Sequence, residues 1–299
     1  MENKMSKLKI GIVGHGFVGK AVDVGFEHPV VEKFYADPIY NTSIDDLIEW
    51  QPNLTFVCVP TPCGKDGVVD ATAAEDSVLK VLKHTRGSVV LKSTVTPDVI
   101  DRLFTTLVFE RLESRFVYNP EFLTEKSAAE QYISSQFHIL GGTREATAAF
   151  ERVLDEFSNL NPAPVIHVSA VEASFIKYGI NSFLATKVTF FNQLYDAVEQ
   201  FGGSWNKISN AICSDWRIGP SHSKVPGFDK KRGYGGACFP KDVQAFTKFS
   251  NKLTLLEECT TINKKYRSQY DLDEREKSQN VNYGQTKEEQ QDQDNGSSS

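Results

Sequence analysis

The stretch GGACFPKD (235–242) places Cys238 one residue after two glycines, with Lys241 three positions on and Asp242 four positions on. A thiol approached by flexible backbone and flanked by a cation and a carboxylate is a candidate nucleophile, although cysteine is more often a small buried hydrophobe. Lys177 and Asn181, in FIKYGIN, are four apart and would share one face of a helix. Glu121 and Glu125, in NPEFLTE (119–125), have the same spacing. A helical lysine ordinarily snorkels to solvent and a glutamate pair ordinarily marks a solvated face, so none of these three clusters identifies a reaction by itself. GHGFVG (14–19) says more. Gly14, Gly16 and Gly19 form GxGxxG, with Phe17 and Val18 opening a helical pattern after a short apolar run. The first glycine permits a tight turn, the second lets a pyrophosphate approach the backbone, and the third lets helix pack on strand. The helix N-terminus then offers unpaired N–H groups to phosphates. Asp37 follows Gly19 by 18 residues, where its carboxylate can bond both ribose hydroxyls and would repel a 2′-phosphate. The order strand, glycines, helix, strand, acid predicts an NAD site, and nicotinamide means hydride transfer.

The elements that must position these residues follow from the apolar pattern. Strands are predicted over residues 7–14, 33–37, 54–59, 88–95, 116–118 and 137–140. Helices are predicted over 17–25, 44–49, 72–84 and 97–112, the last with Pro97 in its first turn. Such alternation means βαβ units and a mostly parallel sheet, a Rossmann-type NAD-binding domain over residues 1–168. After NPAP (161–164) the texture changes to one long helical pattern over 170–201, closed by Gly202 and Gly203. Further helical segments are expected over 204–215 and 242–266. The fold class is therefore α/β followed by an all-helical domain over 169–268 built on one long helix. Residues 269–299 carry few apolar side chains and many Gln, Asp and Glu, and are expected to form a disordered acidic tail.

Composition bounds the function. The 299 residues are 40% hydrophobic and 24% charged, ordinary for a soluble globular chain with room for about two domains. Residues 271–299 hold eight acids against Arg275, Lys277 and Lys287, so most of the formal charge of −6 lies there and the remainder is nearly neutral. No nucleic-acid surface is expected, and no apolar run has the length of a membrane span. Five widely spaced cysteines without a CxxC pair argue for reduced thiols in a cytoplasmic protein rather than a disulfide framework or zinc site. The six histidines form no HxxxH pattern, so no metal is expected.

Taken together, the segments resemble one family, the UDP-glucose/GDP-mannose dehydrogenases. The matching residues are GHGFVG (14–19), VCVPTP (57–62), STV (93–95), NPEFLTE (119–125), EASFIKYGINSFLATKVTFFNQ (172–193), DWRIG (215–219) and GYGGACFPKDV (233–243), in order along the chain. The resemblance implies oxidation of a nucleotide sugar, UDP-glucose first, from primary alcohol to carboxylate with two NAD+ and a covalent thioester. It assigns the acyl-carrying nucleophile to Cys238, proton acceptance and oxyanion stabilisation to Lys177 with Asn181, acid–base help to Glu121, and water positioning to Asp242 and Thr94. It places Pro60, Thr61, Thr94 and Glu125 on the cofactor side, Glu125 matching a family position that also positions substrate. Phe122, Leu123, Arg217, Gly235 and Phe239 join Glu121, Lys177 and Asn181 on the substrate side. The aromatic stripe of the long helix is expected to form a homodimer interface, as in the family.

The chain also departs from the family pattern. Family members carry a third α/β domain after the helix that follows GGxCFPKD, holding much of the nucleotide, and residues 243–299 show no such pattern. Ala237 stands where serine is common, Thr124 lies inside NPEFLxE, and Gln193 replaces a usual acid. Two alternatives therefore stay open. One is a single-hydride NAD(P)-linked hydroxyacid-type dehydrogenase, which needs no thiol. The other is a truncated NAD-binding remnant that works with a partner chain.

Overall fold

The computed structural model describes residues 7–64, 66–124 and 127–284. By internal packing the chain divides into two units, Met1–Thr61 with Asp70–Lys177, and Pro62–Val69 with Tyr178–Ser299. The sequence-based boundary at 168/169 differs from this division, which falls at 177/178 inside a helix.

The first unit is built on strands β1 (Leu8–Val13), β2 (Val31–Ala36), β3 (Leu54–Val57), β4 (Ser88–Leu91), β5 (Phe116–Tyr118), β6 (His138–Gly142) and β7 (Val165–Val168). They form one sheet in the order β2-β1-β3-β4-β5-β6-β7. Neighbours run parallel except β5 and β6, where Val117 lies opposite Gly142 in an antiparallel pair. Ile10, Ile12, Phe56, Val57 and Leu91 are fully buried, as expected of strands covered on both faces. The expected strands over 54–59 and 88–95 stop at Val57 and Leu91. The residues beyond them leave the ladder as loops at the carboxyl ends of the strands, where ligands bind in sheets of this kind.

Around the sheet run α1 (Phe17–Gly25), α2 (Ile44–Trp50), α3 (Thr72–His84), α4 (Pro97–Phe109), α5 (Ala128–Ile133) and α6 (Arg144–Phe157). Neither α6 nor β7 is read from the sequence above. The signal for α6 is nevertheless present, because Ala146, Phe150 and Leu154 recur every four residues and Thr143 caps the Ala146 N–H at 3.1 Å. These residues join Ile10, Phe26, Phe56, Tyr132 and Leu140 in one apolar core.

The long helix α7 (Ala170–Gln200) runs for 31 residues; its first eight belong to the first unit and the rest to the second. The second unit adds α8 (Trp205–Cys213), α9 (Phe239–Phe249), α10 (Thr254–Arg267) and α11 (Glu274–Ser278). The helical stretch expected over 242–266 is two helices, the first starting earlier with Pro240 in its opening turn. Phe191, Trp205 and Val225 form a small core, with Trp205 meeting Phe191 edge-on.

The expectation of disorder from residue 269 is corrected for residues 269–284. Asp273 and Glu276 form a reciprocal capping box at the start of α11. Glu276, Val281 and Tyr283 are buried. Composition misleads here because Glu276 is neutralised by Arg267 at 2.6 Å, while Val281 and Tyr283 supply apolar surface. The remaining residues of that expected tail, 285–299, lie outside the described residues.

Phe150 is 3% exposed and packs against Phe56 with ring centroids 5.8 Å apart. Truncation to alanine removes its burial and leaves a cavity, so Phe150→Ala should cost about 3–5 kcal/mol in urea unfolding followed by circular dichroism.

Candidate functional site

The glycine loop lies between β1 and α1, and each glycine has its own reason. Gly14 has φ +84°, and a Cβ there would lie 2.9 Å from the Cys58 carbonyl oxygen. A Cβ at Gly19 would lie 2.2 Å from the Gly14 oxygen, so only glycine lets α1 pack on the turn. A Cβ at Gly16 would meet nothing within 4 Å, leaving open space above the backbone. No side chain caps α1, so the N–H groups of its first turn, including those of Phe17 and Val18, stay available to an anion. Asp37 follows β2, and its carboxylate accepts the N–H groups of His15 at 2.7 Å and Ile39 at 2.9 Å. Those two backbone hydrogen bonds hold its pKa below the usual carboxylate range. Each oxygen keeps a further lone pair, as a ribose diol requires. The residues present fit a dinucleotide.

A network absent from the sequence reading braces this loop. His15 is 8% exposed and bonds Asp23 through Nε2 at 3.2 Å and the Tyr40 hydroxyl through Nδ1 at 2.8 Å. Asp23 also takes Lys33 at 2.6 Å and the Tyr35 hydroxyl at 2.9 Å. Nothing in GxGxxG or its spacing singles out these partners.

Further along the sheet, the loops after β3 and β4 meet. Thr61 donates to the Thr94 carbonyl at 2.8 Å, and Ser93 donates to the Val59 carbonyl at 2.7 Å. Thr61 and Thr94 are buried, whereas Pro60 is exposed. Lys177, 2% exposed on α7, donates to the Glu121 carbonyl at 2.6 Å and to its carboxylate at 3.2 Å. Its ammonium lies 5.3 Å from the centroid of the Phe122 ring. The Glu121 carboxylate also accepts the Leu123 N–H, which closes the NPEFL turn on itself. The structure therefore brings Glu121, Phe122, Leu123 and Lys177 together. Glu125 lies outside the described residues.

Beside this group sits a second buried lysine that the sequence reading passed over. Lys92 is 2% exposed; it donates to Asn119 Oδ1 at 2.8 Å and lies 5.1 Å from the Tyr132 ring centroid. Asn119 in turn donates to the Ile139 carbonyl at 2.8 Å. Burial lowers the Lys92 pKa to about 8, with the Glu121 charge opposing and Lys177 assisting. Burial pushes the Cys58 thiol up to about 12, which leaves it a neutral packing group. His138 is lowered to about 4 by burial and by Lys92.

In the second unit, Cys238 stands at the N-cap of α9, half-buried, with its carbonyl accepting the Asp242 N–H at 2.8 Å. Asp242 is 1% exposed; Lys241 donates to one of its oxygens at 2.6 Å and Asn181 to the other at 2.7 Å. Lys241 thus holds a structural carboxylate. Asn181 extends from α7, one helical turn beyond Lys177. Phe239 lies 5.4 Å from the His222 ring. Gly235 is explained by packing, because a Cβ there would fall 2.0 Å from Arg267 Nη2. Arg217 is largely exposed and forks onto Asp215 at 2.9 Å and 2.5 Å, apart from the buried group around Asp242. Among the described residues there is no cluster of three His, Cys, Asp or Glu that could hold a metal, and no helix long and apolar enough to cross a membrane.

Residues 41–158 match the NAD binding domain of the UDP-glucose/GDP-mannose dehydrogenase family, and residues 171–265 match its central domain. UDP-glucose 6-dehydrogenase TuaD of Bacillus subtilis is 28% identical over 87% of this chain, which spans 63% of that enzyme's length. A UDP-glucose dehydrogenase from Pyrobaculum islandicum superposes with a TM-score of 0.73 at 24% identity, covering 90% of this chain and 71% of that one. Mycobacterium tuberculosis 3-hydroxyisobutyrate dehydrogenase shares the fold at a TM-score of 0.66 and 17% identity, covering 89% of this chain and 96% of that one.

The depressed Lys92 has a measurable consequence. Its folded pKa of about 8 lies below the roughly 10.4 of an unfolded lysine, so the unfolded state binds more protons between those values. Stability therefore rises with pH through that window and is lost as pH falls through the folded pKa. The unfolding free energy of wild type minus that of Lys92→Met should increase by about 3 kcal/mol between pH 8 and about pH 10.4 in urea titrations. A flat difference would show that Lys92 is not charged at neutral pH at this cost.

Proposed function

Because the chain belongs to the UDP-glucose/GDP-mannose dehydrogenase family, we propose that it oxidises the primary alcohol of a nucleotide sugar to a carboxylate in two hydride transfers. The proposed substrate is UDP-glucose, on the strength of the Bacillus subtilis relative named above. The observation that carries the reading is the setting of Cys238: a thiol at a helix N-terminus, followed by a buried aspartate whose two oxygens are held by Lys241 and Asn181. A single hydride transfer from an alcohol needs no such thiol.

NAD, when bound at the glycine loop, takes up the hydride from the sugar carbon. The chain's own residues supply the rest. The alcohol must lose a proton, and the Lys177–Glu121 pair provides both a cation for the developing alkoxide and a carboxylate to carry the proton away. Cys238, as thiolate, then adds to the aldehyde carbon and forms a thiohemiacetal; the positive end of α9 favours the anionic sulfur. The Asn181 amide and the Lys177 ammonium are the donors for the oxygen of that adduct. Loss of a second hydride to a second NAD+, with the hydroxyl proton of the adduct passing to the Lys177–Glu121 pair, leaves a thioester on Cys238. Water, oriented by Asp242 and Thr94, attacks the acyl carbon, releasing the carboxylate and returning the thiol. Glu121 takes the proton that this water loses.

The test is NADH release from UDP-glucose by the purified chain, with a UDP-N-acetylhexosamine and GDP-mannose as comparison substrates. Two NADH per UDP-glucose are expected, and Cys238→Ala should lower turnover to acid by at least about 1,000-fold. One NADH per sugar, unchanged in Cys238→Ala, would make the protein a single-hydride dehydrogenase and overturn the thioester reading.

A further inference from the structure

The backbone immediately before Cys238 belongs to no helix or strand, yet its polar groups are bonded in succession by side chains from other helices. Gly233 N–H donates to Asn192 Oδ1 on α7 at 3.1 Å. The Tyr234 N–H and carbonyl both bond the Asn263 amide on α10, at 2.7 Å and 2.9 Å. Gly236 N–H donates to Glu276 Oε1 on α11 at 3.3 Å. Gly233 and Gly236 have φ of +74° and +81°, so the path of the loop is one that glycine alone takes without strain.

Glu276 is the point on which this arrangement converges. Its Oε1 accepts from Arg267 Nη2 at 2.6 Å, from the Tyr283 hydroxyl at 2.8 Å and from Gly236 N–H, while Oε2 accepts the Asp273 N–H at 2.9 Å. Donors from four residues meet one side chain, and only an ionised carboxylate, which has acceptor sites alone, satisfies all of them. Glu276 and Arg267 are 0% and 1% exposed, and Arg267 has Asp229 as its second anion at 2.7 Å. A second tie runs from the same segment, where Asn280 donates to the Cys63 carbonyl at 3.1 Å. The Cys63 thiol lies 3.6 Å from the Lys241 carbonyl in the first turn of α9.

We propose that Glu276 is a positioning residue for Cys238, and that the segment 273–283 acts as a clasp holding the glycine loop so that the thiol stays at the N-terminus of α9. The segment does not touch the reacting atoms. It acts through Gly236, two residues from the thiol, and through Arg267, against which Gly235 packs too closely to carry any side chain. Loss of the carboxylate leaves a buried guanidinium with one anion and frees the Gly236 N–H, so the loop is expected to relax and the sulfur to sample more positions. The catalytic consequence rests on the role proposed above for Cys238, whereas the effect on the thiol does not.

Two variants of the full chain test this. Glu276→Gln keeps the shape but turns an amide toward donors; Tyr283→Phe removes one hydroxyl and leaves every charge in place. The readout is the rate of Cys238 alkylation by iodoacetamide between pH 7 and 9, measured by peptide mass spectrometry with Cys213 as the internal reference. The ratio of Cys238 to Cys213 rates should change at least about threefold in Glu276→Gln and in the same direction, by less, in Tyr283→Phe. With UDP-glucose, kcat should fall about tenfold in Glu276→Gln while KM stays within about twofold. If both variants alkylate like wild type, or if Glu276→Gln does not fold and Tyr283→Phe alkylates like wild type, the clasp is overturned. If Cys238→Ala retains full NADH release, the thioester reading falls, and the alkylation ratio still decides the clasp.

Discussion

Charge that is taken out of water must be met by opposite charge or by hydrogen-bond donors and acceptors, and this requirement organises the chemistry-bearing parts of both units. Lys177 is met by Glu121. Asp242 is met by Lys241 and Asn181, and Arg267 by Asp229 and Glu276. All but Asp229 of these side chains are under a tenth exposed. Such pairs add little net stability against apolar groups of the same size, because desolvation offsets most of the attraction. They do fix geometry. An apolar contact tolerates a sliding neighbour, whereas an ammonium 2.6 Å from a carbonyl oxygen tolerates very little. The chain thus spends its buried charge where atoms must be held in place and leaves cohesion to the core around Ile12, Phe56 and Phe150.

The partners of each charge come from separate elements, which is how pairing becomes architecture. Glu121 follows β5 and Lys177 lies on α7, so closing the NPEFL turn also docks the beginning of α7. Asn181 on α7 reaches Asp242 on α9, and Arg267 on α10 reaches Glu276 on α11. A helix of 31 residues suits this use, because residues one turn apart keep their local spacing however the loops around them vary.

How much of this the sequence discloses depends on the range of the interaction that fixes each part. Turn chemistry and helical period are local, so the GxGxxG loop with Asp37, the helix over 72–84, the strand over 116–118 and the length of α7 are readable to within a residue or two. Cys238, Lys177, Asn181 and Asp242 stand out because they fall inside dense motifs. Asn119 opens the NPEFLTE motif and Lys92 immediately precedes STV, yet a lysine after a buried strand reads as a solvated end until the fold encloses it. Glu276 is harder still. In an acidic, glutamine-rich stretch it looks like one more solvating charge, and only its partner Arg267, nine residues earlier on another helix, makes it a buried group. Composition averages over a segment, whereas burial is decided by single residues such as Val281 and Tyr283.

The cysteines show the same principle from the side of reactivity. Desolvation raises the Cys58 thiol to about 12, and Cys63, buried and near the Asp242 and Asp66 charges, to about 11. In both cases desolvation outweighs the nearby lysine, Lys92 for Cys58 and Lys241 for Cys63. At neutral pH both remain thiols, which neither attack a carbonyl nor oxidise readily. Cys259 is buried as well, with its sulfur 3.6 Å from the Thr186 hydroxyl. Cys238 differs in place rather than in composition: it stands at a helix N-terminus, after a loop whose backbone is bonded at Gly233, Tyr234 and Gly236. A cation three residues away in sequence does not by itself make a nucleophile, since the Lys241 ammonium is already engaged by Asp242. The helix terminus favours an anionic sulfur, and its unpaired N–H groups act over only the first turn. A thiol gains from so short-ranged a field only while it is held within it, which is the use proposed above for the bonded loop before Cys238.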